Sequence, residues 1–188
     1  MSTIASVLWR RHDWAGHEAA RLVRRDSGWE LSGAAVFVYE TRACRLDYSV
    51  ACDDGWRTIA TRVTGWVGHD GVDVTIAVDA ARRWWMNERE CPGVAGCVDV
   101  DLNFSPSTNL LPIRRLRLDV GQSADVTAAW LRFPSFALER FDQTYQRLGP
   151  AAYRYRSASG FTADLDVDDA GFATRYGDVW SAETGARS

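Results

Sequence analysis

The stretch from Cys97 to Val120, CVDVDLNFSPSTNLLPIRRLRLDV, decides how the chain is expected to fold. Apolar and polar residues alternate strictly from Val98 to Phe104, and they alternate again from Arg115 onward. Successive side chains of a strand point to opposite faces, so this period of two predicts two strands, each with one apolar and one polar face. The Ser-Pro-Ser-Thr-Asn segment between them predicts the corner of a hairpin.

Alternating segments separated by turn signals recur along the rest of the chain. From Cys44 to Cys52 every second residue is apolar, and an Asp-Asp-Gly turn leads into a return strand. In a meander predicted nearer the C-terminus, a turn at Ser159-Gly160 sets Arg154 opposite Asp164. About ten strands are expected, and strongly twisted sheets of that size curl or split. The sequence therefore predicts an all-β fold, a single strongly curved antiparallel sheet or open barrel with few short helices.

Length and composition limit the class of protein. The chain has 188 residues, 46% of them hydrophobic, which suits a single domain over 1–188 with an ordered core from about residue 5 to 181 and a frayed tail from Ser181. A charged fraction of 25% and a net charge of -3 are typical of a soluble globular protein. Nucleic-acid binding normally requires a basic excess, so no nucleic-acid partner is expected. All 22 basic residues are Arg, which we attribute to a GC-rich genome.

The N-terminal apolar run is too short for a signal sequence, and no segment approaches the roughly 20 apolar residues of a transmembrane helix. We therefore expect a cytoplasmic protein without a transmembrane segment. In that compartment cysteines are usually free thiols. One alternative stays open, because Cys91 and Cys97 flank a short loop and are spaced to pair in an oxidising setting.

The segment from Asp99 to Leu116 contains Asp-x-Asp-Leu-x-Phe, Pro-Ser-Thr-Asn and Leu-Pro-Ile-Arg-Arg-Leu. These pieces resemble the signature of the putative glycolipid-binding family of small bacterial proteins, and the resemblance extends from about Trp9 to Trp180. It implies a fold similar to lipoprotein carriers, in which a long antiparallel sheet curls around an apolar cavity. It also favours a strand over a helix near Glu18, where helix-forming residues leave both open. Similar turn exits in the two halves suggest an internal duplication.

Aromatic residues are abundant, with nine Trp, seven Phe and six Tyr. Rings along a curved sheet leave apolar walls with polar tips, which suits a small amphiphilic or glycolipid-like ligand. The alternative is that the rings only pack the core. The aromatic residues predicted to bind a ligand are Trp56, Trp66, Trp84, Trp130, Tyr145, Tyr153 and Tyr155.

Charged and amide side chains cluster on the predicted hairpin. Arg114 and Arg115 follow Asn109, and Asp99 and Asp101 stand on the facing arm. The sequence predicts that Asp101, Asn109, Arg114 and Arg115 hold a phosphate, carboxylate or sugar through charge-assisted hydrogen bonds. Cross-strand ion pairs that fix the register, worth about 0.2–1 kcal/mol each, are the alternative.

Signals for catalysis are weak. No nucleophile elbow, phosphate-cradling glycine loop or zinc-helix motif is present. His12, His17 and Glu18 match neither a helix face nor a strand face, so no metal or other cofactor is expected. We expect non-catalytic binding of a lipid-like or glycolipid-like molecule, with the oligomeric state left open. The alternatives are a small cofactor-independent enzyme on the same fold and a structural or interaction protein with a fully packed interior.

Overall fold

Within residues 2–184, which the structure describes, the computed structural model forms one sheet of fifteen strands. In chain order the strands are β1 (Ser2–Arg11), β2 (Gly16–Arg25), β3 (Gly28–Tyr39), β4 (Arg42–Cys52), β5 (Thr58–Val67), β6 (Asp70–Val78), β7 (Trp84–Met86), β8 (Arg89–Glu90), β9 (Asp99–Leu102), β10 (Ser123–Arg132), β11 (Ala137–Gly149), β12 (Ala152–Ser157), β13 (Thr162–Val167), β14 (Ala173–Tyr176) and β15 (Trp180–Thr184). The α-helix α1 spans Leu110–Leu116, and 3₁₀ turns lie at Pro92–Val94 and Ser107–Asn109.

The sheet has two halves that meet where β1 lies beside β15. Its order runs from β8 to β1 and then from β15 to β9. Neighbouring strands are antiparallel except for β9 and β10, which are parallel. The outer strands β8 and β9 do not pair with each other, so the sheet stays open. The prediction of one curved, mainly antiparallel sheet is confirmed, although the strand number exceeds the expected ten or so.

Curvature brings the edge strand β9 against the first half of the sheet. The Thr58 N–H donates to the carbonyl oxygen of Val98 at 3.1 Å. The Arg82 guanidinium donates to the carbonyl oxygens of Thr58 at 2.7 Å, Cys97 at 3.0 Å and Val98 at 2.7 Å. These bonds join the two halves across the interior.

Local hairpins follow the alternation of the sequence. The apolar face predicted from Cys44 to Cys52 is buried on β4. Arg154 pairs with Asp164 in the predicted register, and its Nε donates to Oδ1 of Asp164 at 2.7 Å. The segment near Glu18 is strand β2, as the family resemblance favours. All four cysteines, including Cys91 and Cys97, are free.

The hairpin predicted for residues 97–120 is wrong. Its first arm is β9, which pairs in parallel with β10, and its second arm is not a strand, because Arg115 and Leu116 belong to α1 and residues 117–120 form neither helix nor strand. Residues 110–113 are consecutively buried, which suits a helix packed on several sides better than a half-exposed strand. Arg117 then adopts a left-handed φ of 49°, which ends the helix. Arg114 and Arg115 therefore lie on a helix and not on opposite faces of a strand.

The predicted tail also needs correction. Residues 181–184 belong to β15, where Ser181 pairs with Arg10 of β1. Residues 185–188, the rest of the predicted tail, lie outside the described residues.

Helix α1 packs between two apolar clusters. The larger one takes in most of the first half of the sheet together with Leu110 and Leu111 of the helix. The smaller one contains Ile113 and inward residues of β10 to β14, among them Tyr145 and Leu165. The helix thus lies over the inner face of the second half, beside both of the pockets described below. None of the described helices is long and apolar enough to cross a membrane.

Candidate functional site

A cleft of about 280 Å³ opens between β9, the ends of β10 to β15 and the end of β1. Aromatic rings form much of its wall, and they are Trp130, Phe141, Tyr155, Phe161, Tyr176 and Trp180. The main polar groups in it are Arg11, Asp13, Asp101, Asn103, Ser105 and Asn109. We call this cleft the aromatic pocket.

The flattest surface of the aromatic pocket is a stacked pair of rings. Trp130 of β10 and Phe141 of β11 have centroids 4.6 Å apart and an interplanar angle of 17°. Across the pocket, Tyr155 and Tyr176 meet edge to face at 5.8 Å. Phe161 is 42% exposed and contributes an apolar edge. The pocket therefore offers broad apolar planes as well as polar groups.

The polar wall comes from β9 and the loop that follows it. Asp101, Asn103 and Ser105 occupy alternate positions, so the polar face of the sequence pattern lines the pocket. Gln143 donates to Oδ2 of Asp101, and Tyr145 Oη donates to Oδ1 of Asn109 at 2.7 Å. These bonds fix two of the groups that a ligand would meet.

Burial changes the protonation of Asp101. Desolvation raises the pKa of its carboxyl to about 6, and the charge of Asp99 acts in the same direction. The hydrogen bond from Gln143 lowers that pKa and offsets part of the rise. Asp101 is consequently a weaker acid than an ordinary aspartate.

An ion pair lies under this wall. Arg115 Nη2 lies 2.5 Å from Oδ2 of Asp99, and its Nε lies 3.1 Å from Oδ1. The Asp99 side chain is 2% exposed and the Arg115 side chain 21% exposed. Because both of these nitrogens donate hydrogen bonds to the carboxylate of Asp99, Arg115 holds α1 against β9.

A buried carboxyl lies behind Ser105. Oε1 of Glu18 accepts hydrogen bonds from Tyr48 Oη and Ser105 Oγ, each at 2.5 Å. Burial raises the pKa of Glu18 to about 7, while the bonds from Ser105 and Tyr48 and the charge of Arg11 lower it. Oε2 of Glu18 and Nη1 of Arg11 are buried without a hydrogen-bond partner among residues 2–184.

Arg11 lies beside the pocket with most of its charge matched. Its Nε and Nη2 donate to the two carboxylate oxygens of Asp13 at 2.7 and 3.0 Å. Its Cζ lies 3.7 Å from the ring centroid of Trp14 and 4.9 Å from that of Trp180. This packing orients the guanidinium while Asp13 balances it.

The residues predicted to bind a ligand are divided among several places. Four of them line the aromatic pocket, and Tyr145 supports it from behind; the four are Asp101, Asn109, Trp130 and Tyr155. Two others, Arg114 and Tyr153, line a second pocket near the C-terminal end of α1.

The remaining predicted residues do not line either pocket. Arg115 binds Asp99, as described above. Trp84 is fully buried, and its Nε1 donates to the carbonyl oxygen of Cys97 at 3.2 Å. Trp56 stacks on Trp29 at 4.3 Å. Trp66, in contrast, is 39% exposed on β5.

Sequence reasoning missed several pocket residues because they come from distant strands. Arg11, Phe141 and Tyr176 belong to three different strands. The residues next to each of them in sequence form no motif that would indicate a binding site. The sequence suggested Glu18 only as a possible metal ligand beside two histidines, whereas its hydrogen-bond partners Tyr48 and Ser105 lie 30 and 87 residues away. Within residues 2–184 no group of three or more His, Cys, Asp or Glu side chains could hold a metal ion.

A family model described as "Putative glycolipid-binding" matches residues 6–182. The chain belongs to this family. The family resemblance predicted from the segment after Asp99 is thereby confirmed.

This member of the glycolipid-binding family is also similar to a solved structure, a DUF1089 family protein from Pseudomonas aeruginosa. The two chains are 26% identical and superpose with a TM-score of 0.78. The match covers 87% of this chain and 91% of the other. No curated protein matches the sequence.

Proposed function

We propose that the protein binds a glycolipid or a similar amphiphile and that the aromatic pocket holds its sugar head group. The observation that carries this proposal is the stacked pair of Trp130 and Phe141 beside a wall of hydroxyl, amide and carboxyl groups. A sugar ring has an apolar C–H face and an equatorial rim of hydroxyls, so it needs both kinds of surface at once. The volume of about 280 Å³ is at the lower end of pockets that take small organic ligands.

The polar wall suits neutral hydroxyl groups. Asn103, Asn109 and Ser157 have side chains that both donate and accept hydrogen bonds, as sugar hydroxyls do. Arg11 is matched by Asp13 and so offers no free positive charge to an anion, and Asp101 loses its negative charge as the pH falls through about 6. A neutral head group is therefore favoured over a strongly charged one.

The alkyl part of the ligand would lie at the mouth of the pocket. The inner face of the first half of the sheet is filled by the larger apolar cluster, to which β9, β10 and α1 also contribute. Phe161, in contrast, exposes 42% of its surface beside Val179 at the pocket. An acyl chain leaving the pocket there would cover apolar surface that water now contacts.

The proposal is tested by calorimetric titration with short-chain alkyl glycosides below their micelle concentration. Trp130→Ala should weaken binding about tenfold, or ~1.4 kcal/mol, because it removes half of the stacked surface. Trp66→Ala is the matched control, since Trp66 is exposed on β5 away from the pocket. Equal affinities for the wild type and Trp130→Ala would contradict the proposal.

A second candidate function is a cofactor-independent enzyme that uses Asp101 as a general acid. With a pKa of about 6, the Asp101 carboxyl is protonated in about half of the molecules at pH 6 and in about a tenth at pH 7, so it can donate a proton mainly below neutral pH. Mass spectrometry of alkyl glycosides incubated with the protein distinguishes the two functions. Unchanged glycoside recovered in complex with the protein supports binding. Product that disappears with Asp101→Asn supports catalysis.

A further inference from the structure

The second pocket, of about 370 Å³, shares no lining residue with the aromatic pocket. Three arginines and an aromatic ring face it from three elements, α1, β11 and β12, and from the residue that follows α1. Arg114 lies in α1, Arg117 follows the last residue of the helix, and Arg147 and Tyr153 come from β11 and β12. We call it the arginine pocket.

The positive charges of the arginine pocket are not matched by direct ion pairs. Within residues 2–184, Arg114, Arg117 and Arg147 form no salt bridge with a carboxylate. Their neighbour Arg115 shows the contrast, because Asp99 binds it at 2.5 Å.

Neutral groups hold two of these guanidiniums in place. Arg147 donates to the carbonyl oxygens of Leu118 at 2.8 Å, Gly149 at 3.1 Å and Pro150 at 2.6 Å. Because a guanidinium has five N–H donors, Arg147 keeps further donors after these bonds. Carbonyl oxygens orient the guanidinium but leave its full positive charge in place.

Arg114 is fixed in a similar way. Its Nη1 donates to the carbonyl oxygen of Asp169 at 3.3 Å, and its Cζ lies 5.3 Å from the ring centroid of Trp56. The ring of Tyr153 lies 5.8 Å from Cζ of Arg147 and provides a similar support. Two preset guanidiniums therefore flank the pocket before any ligand arrives.

The carboxylates nearby do not cancel this charge. Oδ1 of Asp168 accepts the backbone N–H of Phe172 at 2.8 Å and closes the turn between β13 and β14. Asp169 contributes its carbonyl oxygen to Arg114, and its side chain is exposed. Three guanidiniums against two carboxylates leave the pocket positive in a chain whose net charge is -3.

Stabilisation of the helix end explains only part of this arrangement. Basic side chains in a last turn interact favourably with the free carbonyls there, which accounts for Arg114. It does not account for Arg147, which belongs to β11 and faces the same space. Convergence from separate elements is the feature that indicates a ligand.

We propose that the arginine pocket binds phosphate, either as the free ion or as a monoester such as a lipid head group. Guanidinium forks bind phosphate oxygens through paired, charge-assisted hydrogen bonds. Arg147 and Arg114 supply the preset donors, and Arg117 closes on the anion from the end of the helix. This site does not depend on sugar binding in the aromatic pocket.

Titration with inorganic phosphate at low ionic strength tests the site, with a fluorescent or calorimetric readout on the intact chain. The wild type should show saturable binding, and Arg117→Gln should weaken it at least tenfold while leaving alkyl glycoside binding unchanged. Arg140→Gln is the control, because Arg140 is exposed on the same strand as Arg147 but lies outside the pocket. Arg114→Gln serves as a second variant and should act in the same direction as Arg117→Gln.

Vesicles distinguish the source of the phosphate. Binding to phosphatidylcholine vesicles that contain phosphatidic acid, reversed by inorganic phosphate, assigns a lipid monoester. Binding of inorganic phosphate without vesicle binding assigns the free ion. Failure of the wild type to bind either probe, or equal losses in Arg117→Gln and Arg140→Gln, would overturn the proposal whatever the outcome with glycosides.

Discussion

Ser105 Oγ donates to Oε1 of Glu18 at 2.5 Å, although 87 residues separate the two along the chain. The bond ties the loop after β9 to β2, and Tyr48 of β4 donates to the same oxygen. Ser105 Oγ also accepts a hydrogen bond from the backbone N–H of Ser107 at 3.1 Å. A wall of the aromatic pocket is thus held by a carboxyl in the opposite half of the sheet.

Stability should depend on pH through Glu18. Its pKa is about 7 in the folded protein and near 4.5 when unfolded, so the folded state holds the proton more tightly. The contribution of Glu18 to the free energy of unfolding is fully present below about pH 4.5 and is lost as the pH rises to about 7. A shift of this size corresponds to about 3 kcal/mol.

Urea unfolding of the wild type and Glu18→Gln at several pH values measures this effect. Glutamine keeps an oxygen for Tyr48 and Ser105 but does not titrate. The difference in unfolding free energy between the two proteins should fall by about 3 kcal/mol from pH 4.5 to pH 7 and stay flat above it. A constant difference across that range would show that Glu18 has an ordinary pKa.

Removing Arg115 should destabilise the fold. Arg115→Ala leaves the carboxylate of Asp99 buried without its cation, which we expect to cost about 3 kcal/mol. The matched control is Arg175→Ala, because Arg175 and Asp166 form a similar pair whose side chains are 54% and 47% exposed. That change should cost at most about 1 kcal/mol in the same denaturation assay. Similar losses in both variants would refute the structural role of the buried pair.

Because Gly33 has no side chain, the ring of Tyr48 can pack against its backbone. A Cβ at Gly33 would lie 2.4 Å from Tyr48 Oη and 2.6 Å from the carbonyl oxygen of Ala19. Gly33→Ala should therefore displace Tyr48 from Glu18 and cost about 1–3 kcal/mol. Gly71→Ala, where no atom lies within 4 Å, is the control and should change the melting temperature little. An unchanged melting temperature in Gly33→Ala would mean that β3 and β4 adjust freely.

Two tryptophans should differ in their effect on folding. Trp84 is fully buried and Trp66 is 39% exposed. Trp84→Ala should cost about 3–5 kcal/mol of stability, whereas Trp66→Ala should cost far less. Chemical denaturation of both variants makes the comparison. A large loss in Trp66→Ala would place that ring in a buried contact.

Alternation predicted the hairpins well because each depends on nearby residues. The face from Cys44 to Cys52 and the register of Arg154 with Asp164 follow from a period of two and a short turn. Each partner lies within a dozen or so residues, so the sequence pattern contains the needed information. Most of the antiparallel order within each half of the sheet was predictable for the same reason, whereas the pairing of β1 with β15 joins residues far apart in sequence.

The parallel strand β9 could not be predicted in this way. It pairs with β10, so that Asp99 lies beside Ala128, and a helix lies between the two strands in sequence. The alternation after Arg115 resembles a strand, but the left-handed φ of Arg117 turns the chain away. A period of two predicts that a segment is a strand and which of its residues share a face, but it does not predict the strand with which that segment pairs.

The candidate site shows the same limit. Asp101 and Asn109 were identified because they stand in the segment that resembles the family, where polar residues alternate. Phe141 was missed because its significance depends on stacking with Trp130 across two strands. Sites built from several strands become visible only when the strands are assembled.

The pairing of β1 with β15 sets an order of events during translation. Strands β1 to β8 leave the ribosome first and can form hairpins with one another, but β1 keeps an unpaired edge until Trp180 and its neighbours emerge. Exposed strand edges invite pairing with other chains. The β1 edge of the nascent first half is therefore open to pairing with other chains until β15 is synthesised and covers it.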